Sequence, residues 1–266
     1  MKKIIYFIAA FGLLLTSCSK DDTLVQNTEY EKVAPGDPKY SYIKFLNLTP
    51  GSPTVNYYLD GTKFSAALSS LGVENAGYTY NGLFPDLGYA VTLPGSHALT
   101  AKIIPSATVD KNLEVLNTTI NPAAGKYYTI LTSGQYSATN KSIGPIIVLD
   151  DVRPATDTTK VFVRMVNLLN GGPAIDLVRG DVNTGPKLIP NVALGTASGW
   201  AEVANPGSGS APIVKFWLNN ATTGAALLTT VYQPSLTKGR AYTIYIRGVV
   251  GSTTFAPTIS TYTTFY

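Results

Sequence analysis

Among side chains suited to covalent or metal chemistry, this 266-residue chain has one cysteine, Cys18, and one histidine, His97. One of each cannot assemble a Cys/His zinc site, and a single cysteine forms no disulfide within the chain. A Ser-His-Asp triad would have to use His97 as its base, yet no serine lies in a Gly-x-Ser-x-Gly turn. His97 follows Pro94-Gly95-Ser96 and reads as a residue at the edge of a solvated turn. Paired carboxylates for glycoside hydrolysis need two acids held across a cleft. Asp60, Glu74, Asp86, Asp110 and Glu114 lie mostly beside turn signals, and no two of them suggest a pair. The expectation is a protein that is not an enzyme and uses no metal or cofactor.

Cys18 has a different context. Lys2 and Lys3 precede an apolar run at residues 4–15, which ends in Leu15-Thr16-Ser17-Cys18. Twelve apolar residues are too few to span a bilayer and fit the core of a signal peptide. The four-residue ending resembles the lipobox of bacterial lipoproteins, which implies cleavage before Cys18 and lipidation of its thiol. Two or more acyl chains give stable anchoring, at about 0.8 kcal/mol per buried methylene. Ser19-Lys20-Asp21-Asp22 is similar to the signals that carry some lipoproteins to the outer face of the Gram-negative outer membrane. Residues 1–17 are thus expected as signal peptide and 18–39 as lipidated cysteine plus flexible tether, with Pro35, Gly36 and Pro38 near its end. The expected location is the outer membrane, facing outward.

Aromatic side chains are the remaining candidates for binding. The chain has 17 Tyr and 2 Trp against a charged share of 14%. Such rings can stack on sugars or anchor a protein partner. Tyr78 and Tyr80 fall in the least regular stretch, and with Tyr58 they are the candidate ligand-binding residues. Arg179-Gly180-Asp181 matches an integrin-binding tripeptide but lies at an expected strand end, and it is read as coincidence. The paired acids Asp150 and Asp151 are read as part of a solvated turn rather than a calcium site, which needs six or more oxygen ligands. Formal charge is +4, its acids and bases are scattered, and nucleic acid is not an expected partner.

The elements that position these residues occur twice. Ile43-Lys44-Phe45-Leu46-Asn47-Leu48 recurs as Val163-Arg164-Met165-Val166-Asn167-Leu168, 120 positions later. Tyr89 and Pro94-Gly95-Ser96 match Trp200 and Pro206-Gly207-Ser208. Gly125-Lys126-Tyr127-Tyr128-Thr129-Ile130 matches Gly239-Arg240-Ala241-Tyr242-Thr243-Ile244. Three blocks in one order mark a tandem repeat. Short alternating runs separated by Gly and Pro signals give about seven strands per copy and no amphipathic helix. That pattern predicts two tandem immunoglobulin-like β-sandwich domains, at 40–150 and 160–266, joined by a linker at 151–159. Each copy, at roughly 110 residues, is large enough for its own core. Tyr128 and Tyr242 are expected to bond backbone as in a tyrosine corner, and Asn47 and Asn167 to cap strand ends.

The Lys/Arg-x-x-Asn strand, the Pro-x-Val/Ile-Asn/Asp strand, the Pro-Gly hairpin and the Gly-x-x-Tyr-Thr-Ile strand together resemble the domain-of-unknown-function 4397 family. The resemblance spans residues 40–266. It implies an exported bacterial protein with immunoglobulin-like sandwiches, and no activity or site residues. The resulting reading is a non-catalytic, lipid-anchored surface protein with a structural, adhesive or binding role. The alternative is a glycan-binding accessory lipoprotein that uses Tyr and Trp as platforms. The membrane, through Cys18, is the expected partner, with an extracellular protein or polysaccharide as the second.

Overall fold

A computed structural model describes residues 33–69 and 71–266, of which Gly36–Tyr266 is one compact unit. Cys18 and the expected signal peptide at residues 1–17 lie outside the described residues. Sixteen strands and no helix occur among the described residues.

The alternation at residues 43–48 produces β1 (Ser41–Asn47), and its repeat produces β10 (Val161–Asn170). In the first copy one sheet runs β3 (Thr62–Lys63), β2 (Val55–Leu59), β6 (His97–Ile103), β7 (Glu114–Ile120). Facing it, β4 (Gly82–Phe84) and β5 (Ala90–Thr92) share one edge of β1, followed by β8 (Tyr127–Thr132) and β9 (Ile146–Asp150). The second copy repeats the scheme. One sheet is β12 (Lys187–Val192), β11 (Ile175–Arg179), β14 (Phe216–Asn220). The other is β13 (Ala201–Val203), β10, β15 (Ala241–Val249), β16 (Thr258–Phe265).

Each copy is therefore a β-sandwich, as the strand count predicts. Its strand order departs from an immunoglobulin constant domain, in which the first and second strands share a sheet. Here the first strand lies inside the sheet opposite the second and runs parallel to the strand that follows the Gly-x-x-Tyr turn. Ile43 stands opposite Tyr128, and Val163 opposite Tyr242. The same register in both copies confirms the repeat in three dimensions. Two strands are not reproduced: where β4 pairs with β1, the second copy has only a bridge between Val166 and Ala197, and β7 has no regular counterpart. Where β7 flanks β6, the second copy has an irregular run that touches β14 through Ala226 and Tyr232, and Ile213 ahead of it through Ser235.

Between the sheets of the first copy lies a core that includes Ile43, Phe45, Tyr57, Leu99 and Ile130; its counterpart includes Val163, Met165, Leu177, Phe216 and Ile244. A third core joins the copies. Leu46, Leu48, Leu131 and Leu149 meet Val166, Leu168, Tyr245 and Tyr262. The two sheets that contain the parallel pairs thus pack outer face to outer face, and four sheets stack with three apolar layers between them. This is why all seven residues of β1 are buried. One β1 face looks into its own sandwich and the other into the seam.

The copies have a core each and also share this seam. Leu46 is 1% exposed, and truncating such a leucine typically costs 2–5 kcal/mol through lost transfer energy and a residual cavity. Leu46→Ala should therefore lower the melting temperature of residues 33–266 as a whole. Calorimetry should show one transition shifting; two transitions, with only one of them moved, would show that the copies unfold separately.

Candidate functional site

The repeat places a cation at the same point of both central strands. Lys44 and Arg164 sit mid-strand on the faces turned to the seam, 0% and 3% exposed. Each lies against the equivalent aromatic of its own copy. The Lys44 ammonium is 5.1 Å from the Tyr89 ring centre, and the Arg164 guanidinium is 4.8 Å from that of Trp200. The ring faces present negative potential to these charges. Lys44 is also 5.5 Å from the ring of Tyr262, which belongs to the other copy.

Asp151 completes the cluster. Its carboxylate accepts from an Arg164 Nη2, from Thr129 Oγ1 at 2.5 Å and from the Tyr89 hydroxyl at 2.8 Å. Arg164 Nε donates to Thr243 Oγ1 at 2.8 Å, and Trp200 Nε1 to the Val152 carbonyl at 2.7 Å. The expected solvated turn is thus corrected at its first residue: Asp151 is 2% exposed, because it follows β9 directly into the seam. Burial pushes its carboxyl upward, against the pull of Arg164 and its hydrogen bonds to Thr129 and Tyr89. Burial works against the Arg164 charge, but Tyr262 and Asp151 outweigh it, and the net shift is upward. Lys44 has no hydrogen-bond partner for its buried Nζ among the described residues. Burial lowers its pKa to about 8, opposed by the charges of Asp151 and Asp86. With almost no solvent access, these groups can fix the register of two sheets; they cannot meet a substrate.

His97 is likewise engaged. Its Nδ1 is 2.6 Å from Asp60 Oδ2 and its Nε2 is 2.7 Å from the Leu93 carbonyl. Two acceptors require both ring nitrogens to donate, which only the imidazolium does. Partial burial alone would lower its pKa, but the bonds to Asp60 and Leu93 raise it. The His97 bond and the Ala98 N–H hold Asp60 below its usual range. The ring therefore latches the turn after β2 to the turn before β6.

The candidate tyrosines are not brought together. Tyr78 is 5% exposed, edge-on to Phe84 at 5.6 Å, and burial raises its pKa to about 12. Tyr80 packs edge-on to Phe255 at 5.7 Å and under the Arg247 guanidinium at 4.8 Å, where it joins the copies. Tyr58 is half-buried beneath Lys102, 5.4 Å away. The expectation of an exposed patch is corrected because apolar neighbours bury Tyr78 and a strand of the other copy's sheet covers Tyr80.

Other assignments hold as structural. The hydroxyls of Tyr128 and Tyr242 accept the N–H of Ala123 at 3.2 Å and Thr237 at 2.8 Å, each five residues back. Asn47 donates to Ser52 Oγ and the Tyr78 carbonyl, and Asn167 to the carbonyls of Pro173 and Val192. Arg179 binds the carbonyls of Ala204 and Asn205, and Asp181 pairs with Lys215, so the tripeptide is tied into the fold. Glu74 pairs with Lys63 and Asp110 with Lys141, on separate turns. Among the described residues no group of three or more His, Cys, Asp or Glu could hold a metal.

Sequence reading missed Lys44, Arg164, Asp151, Tyr89 and Trp200 as a cluster. The signal was present: a cation repeated in the middle of an otherwise apolar strand.

The DUF4397 family, described as a domain of unknown function, matches residues 41–178. The chain belongs to this family. The match covers the first sandwich and the opening strands of the second, and the repeated register extends the same architecture to residue 266. No curated protein is similar enough to match the chain. Among known structures, it is similar to a family CBM26 module of Eubacterium rectale Amy13K in complex with maltoheptaose. That pair is 12% identical, with 82% of this chain and 96% of that chain covered and a TM-score of 0.27. A candidate cell adhesion protein of Bacteroides fragilis is 10% identical, with coverage of 90% and 92% and a TM-score of 0.20. Another, from Bacteroides eggerthii, is 10% identical, with coverage of 88% and 98% and the same TM-score. TM-scores this low carry no site geometry across to this DUF4397 chain.

Removing the Asp151 carboxylate would strand a buried guanidinium, which typically costs 3–5 kcal/mol. Asp151→Ala should destabilise by about that amount in denaturant unfolding. Lys44 behaves in the opposite way. Its folded pKa is depressed, so between about pH 8 and about pH 10.4 the unfolded state binds more protons and stability rises with pH. Lys44→Met should be more stable than the unaltered protein at pH 7, with the difference shrinking by pH 10. An advantage that stays constant with pH would refute a buried, titrating Lys44.

Proposed function

We propose that this chain is a non-catalytic lipoprotein, anchored through Cys18 and displayed on the outer face of a Gram-negative outer membrane. Its four-sheet body then serves as a structural, adhesive or binding module. The observation that carries this reading is the commitment of the reactive side chains to internal contacts. His97 donates from both ring nitrogens, Asp151 is sealed against Arg164, and Glu74 and Asp110 pair with lysines on separate turns. A catalytic site needs such groups converging with room for a substrate. A rigid stack of sheets with exposed edges and loops is what a binding or spacer module requires.

The anchor rests on the sequence of residues 1–18. A platform of Tyr58, Tyr78 and Tyr80 is absent from the fold, so the glycan alternative loses the patch that motivated it.

Metabolic labelling with an alkyne-tagged fatty acid tests the anchor. The full chain should take up label and fractionate with membranes, whereas Cys18→Ala should do neither. Equal labelling of the alanine variant would rule out the lipoprotein reading.

A further inference from the structure

The first copy has a cavity at a place that the second copy fills. A recess of about 270 Å³ opens beside the end of β7, against β8 and β9, with Ile43, Ile120, Pro122, Tyr128, Ile130 and Val148 among its walls. The repeat shows what such a space accepts. Tyr128 and Tyr242 are equivalent, and each accepts the N–H of the residue five positions earlier, Ala123 or Thr237. Counting back one residue from these, Pro122 stands where the second copy has Leu236. Leu236 is fully buried in one cluster with Val163, Tyr242 and Ile244, the counterparts of Ile43, Tyr128 and Ile130. A proline ring is more compact than a leucine side chain. The first copy therefore keeps three of these walls, Ile43, Tyr128 and Ile130, and has the smaller Pro122 in place of Leu236. Val148, 46% exposed, marks the open mouth.

The recess also has a polar handle. The Tyr128 oxygen accepts from Ala123, and a phenol that accepts through a lone pair can still donate its own proton. Thr119 and Asn121 also line the recess, and mainly apolar walls with a few polar groups are the usual make-up of a small-ligand site.

We propose that this recess binds a small ligand with a branched aliphatic or single-ring body and one hydrogen-bond acceptor. The body takes the space that Leu236 fills in the second copy, and the acceptor receives the Tyr128 hydroxyl proton. The site deepens the reading as a binding module and is independent of the anchor.

Residues 33–266, which carry all three cores, can be labelled at their isoleucine and valine methyls and titrated with 4-methylpentan-2-one while NMR spectra are recorded. The methyls of Ile43, Ile120, Ile130 and Val148 should shift saturably. Pro122→Leu, which supplies the leucine of the second copy, should abolish those shifts, and Tyr128→Phe should weaken binding about fivefold, the usual effect of one neutral hydrogen bond. Val148→Trp, at the exposed rim, should block entry without altering the core, and decides the matter where Pro122→Leu disturbs folding. Absence of saturable shifts in the unaltered protein, or shifts that survive Val148→Trp, would overturn the proposal. Either result leaves acylation of Cys18 to be judged by its own labelling.

Discussion

Between the facing sheets, the Asp151 carboxylate meets the Arg164 guanidinium almost out of reach of water. Such a pair gains little net stability, since desolvation offsets most of the attraction. Its effect is on geometry. An unpaired charge at this depth is costly, so the seam is favoured only in the register that brings Asp151, just after β9, to Arg164 in β10. The apolar contacts of Leu46, Leu48, Val166 and Leu168 supply the burial, but apolar faces slide past one another at little cost. The polar cluster converts a sticky surface into one defined arrangement.

That arrangement determines what the rest of the molecule can offer. The outer faces of two sheets are consumed by the seam, and β1 and β10 are enclosed on both sides. Surfaces left for partners are therefore strand edges, the remaining outer faces and the turns. Several turns are themselves fastened, by His97 to Asp60 and by Arg179 to the carbonyls of Ala204 and Asn205. A body held this way presents fixed shapes rather than moving parts, in keeping with a module that binds or spaces.

The copies share a frame and differ in its filling. Lys44 and Arg164 occupy one position, yet among the described residues only Arg164 of the two forms an ion pair. Thr129 bonds Asp151, where Thr243 bonds Thr264. β7 is a regular strand, where the second copy has an irregular run ending in the buried Leu236. These substitutions leave the backbone register intact because the parallel pairing of β1 with β8, and of β10 with β15, depends on main-chain bonds and on core residues that both copies retain.

The sequence by itself determined the repeat, the all-β class, the strand-end roles of Asn47 and Asn167 and the hydroxyl bonds of Tyr128 and Tyr242. These follow from local periodicity and from residues that act on backbone a few positions away. It also supplied the expectation of an anchor at Cys18, which rests on a motif read along the chain. Strand order, the seam, the burial of Asp151 and the scattering of Tyr58, Tyr78 and Tyr80 were decided only by tertiary structure. The reason is physical: alternation shows that a strand has two faces but not what covers each, so a strand buried on both sides reads like one with a wet face. A buried cation looks in sequence like an exposed one until its partners arrive from the far end of the same sandwich and from the neighbouring copy.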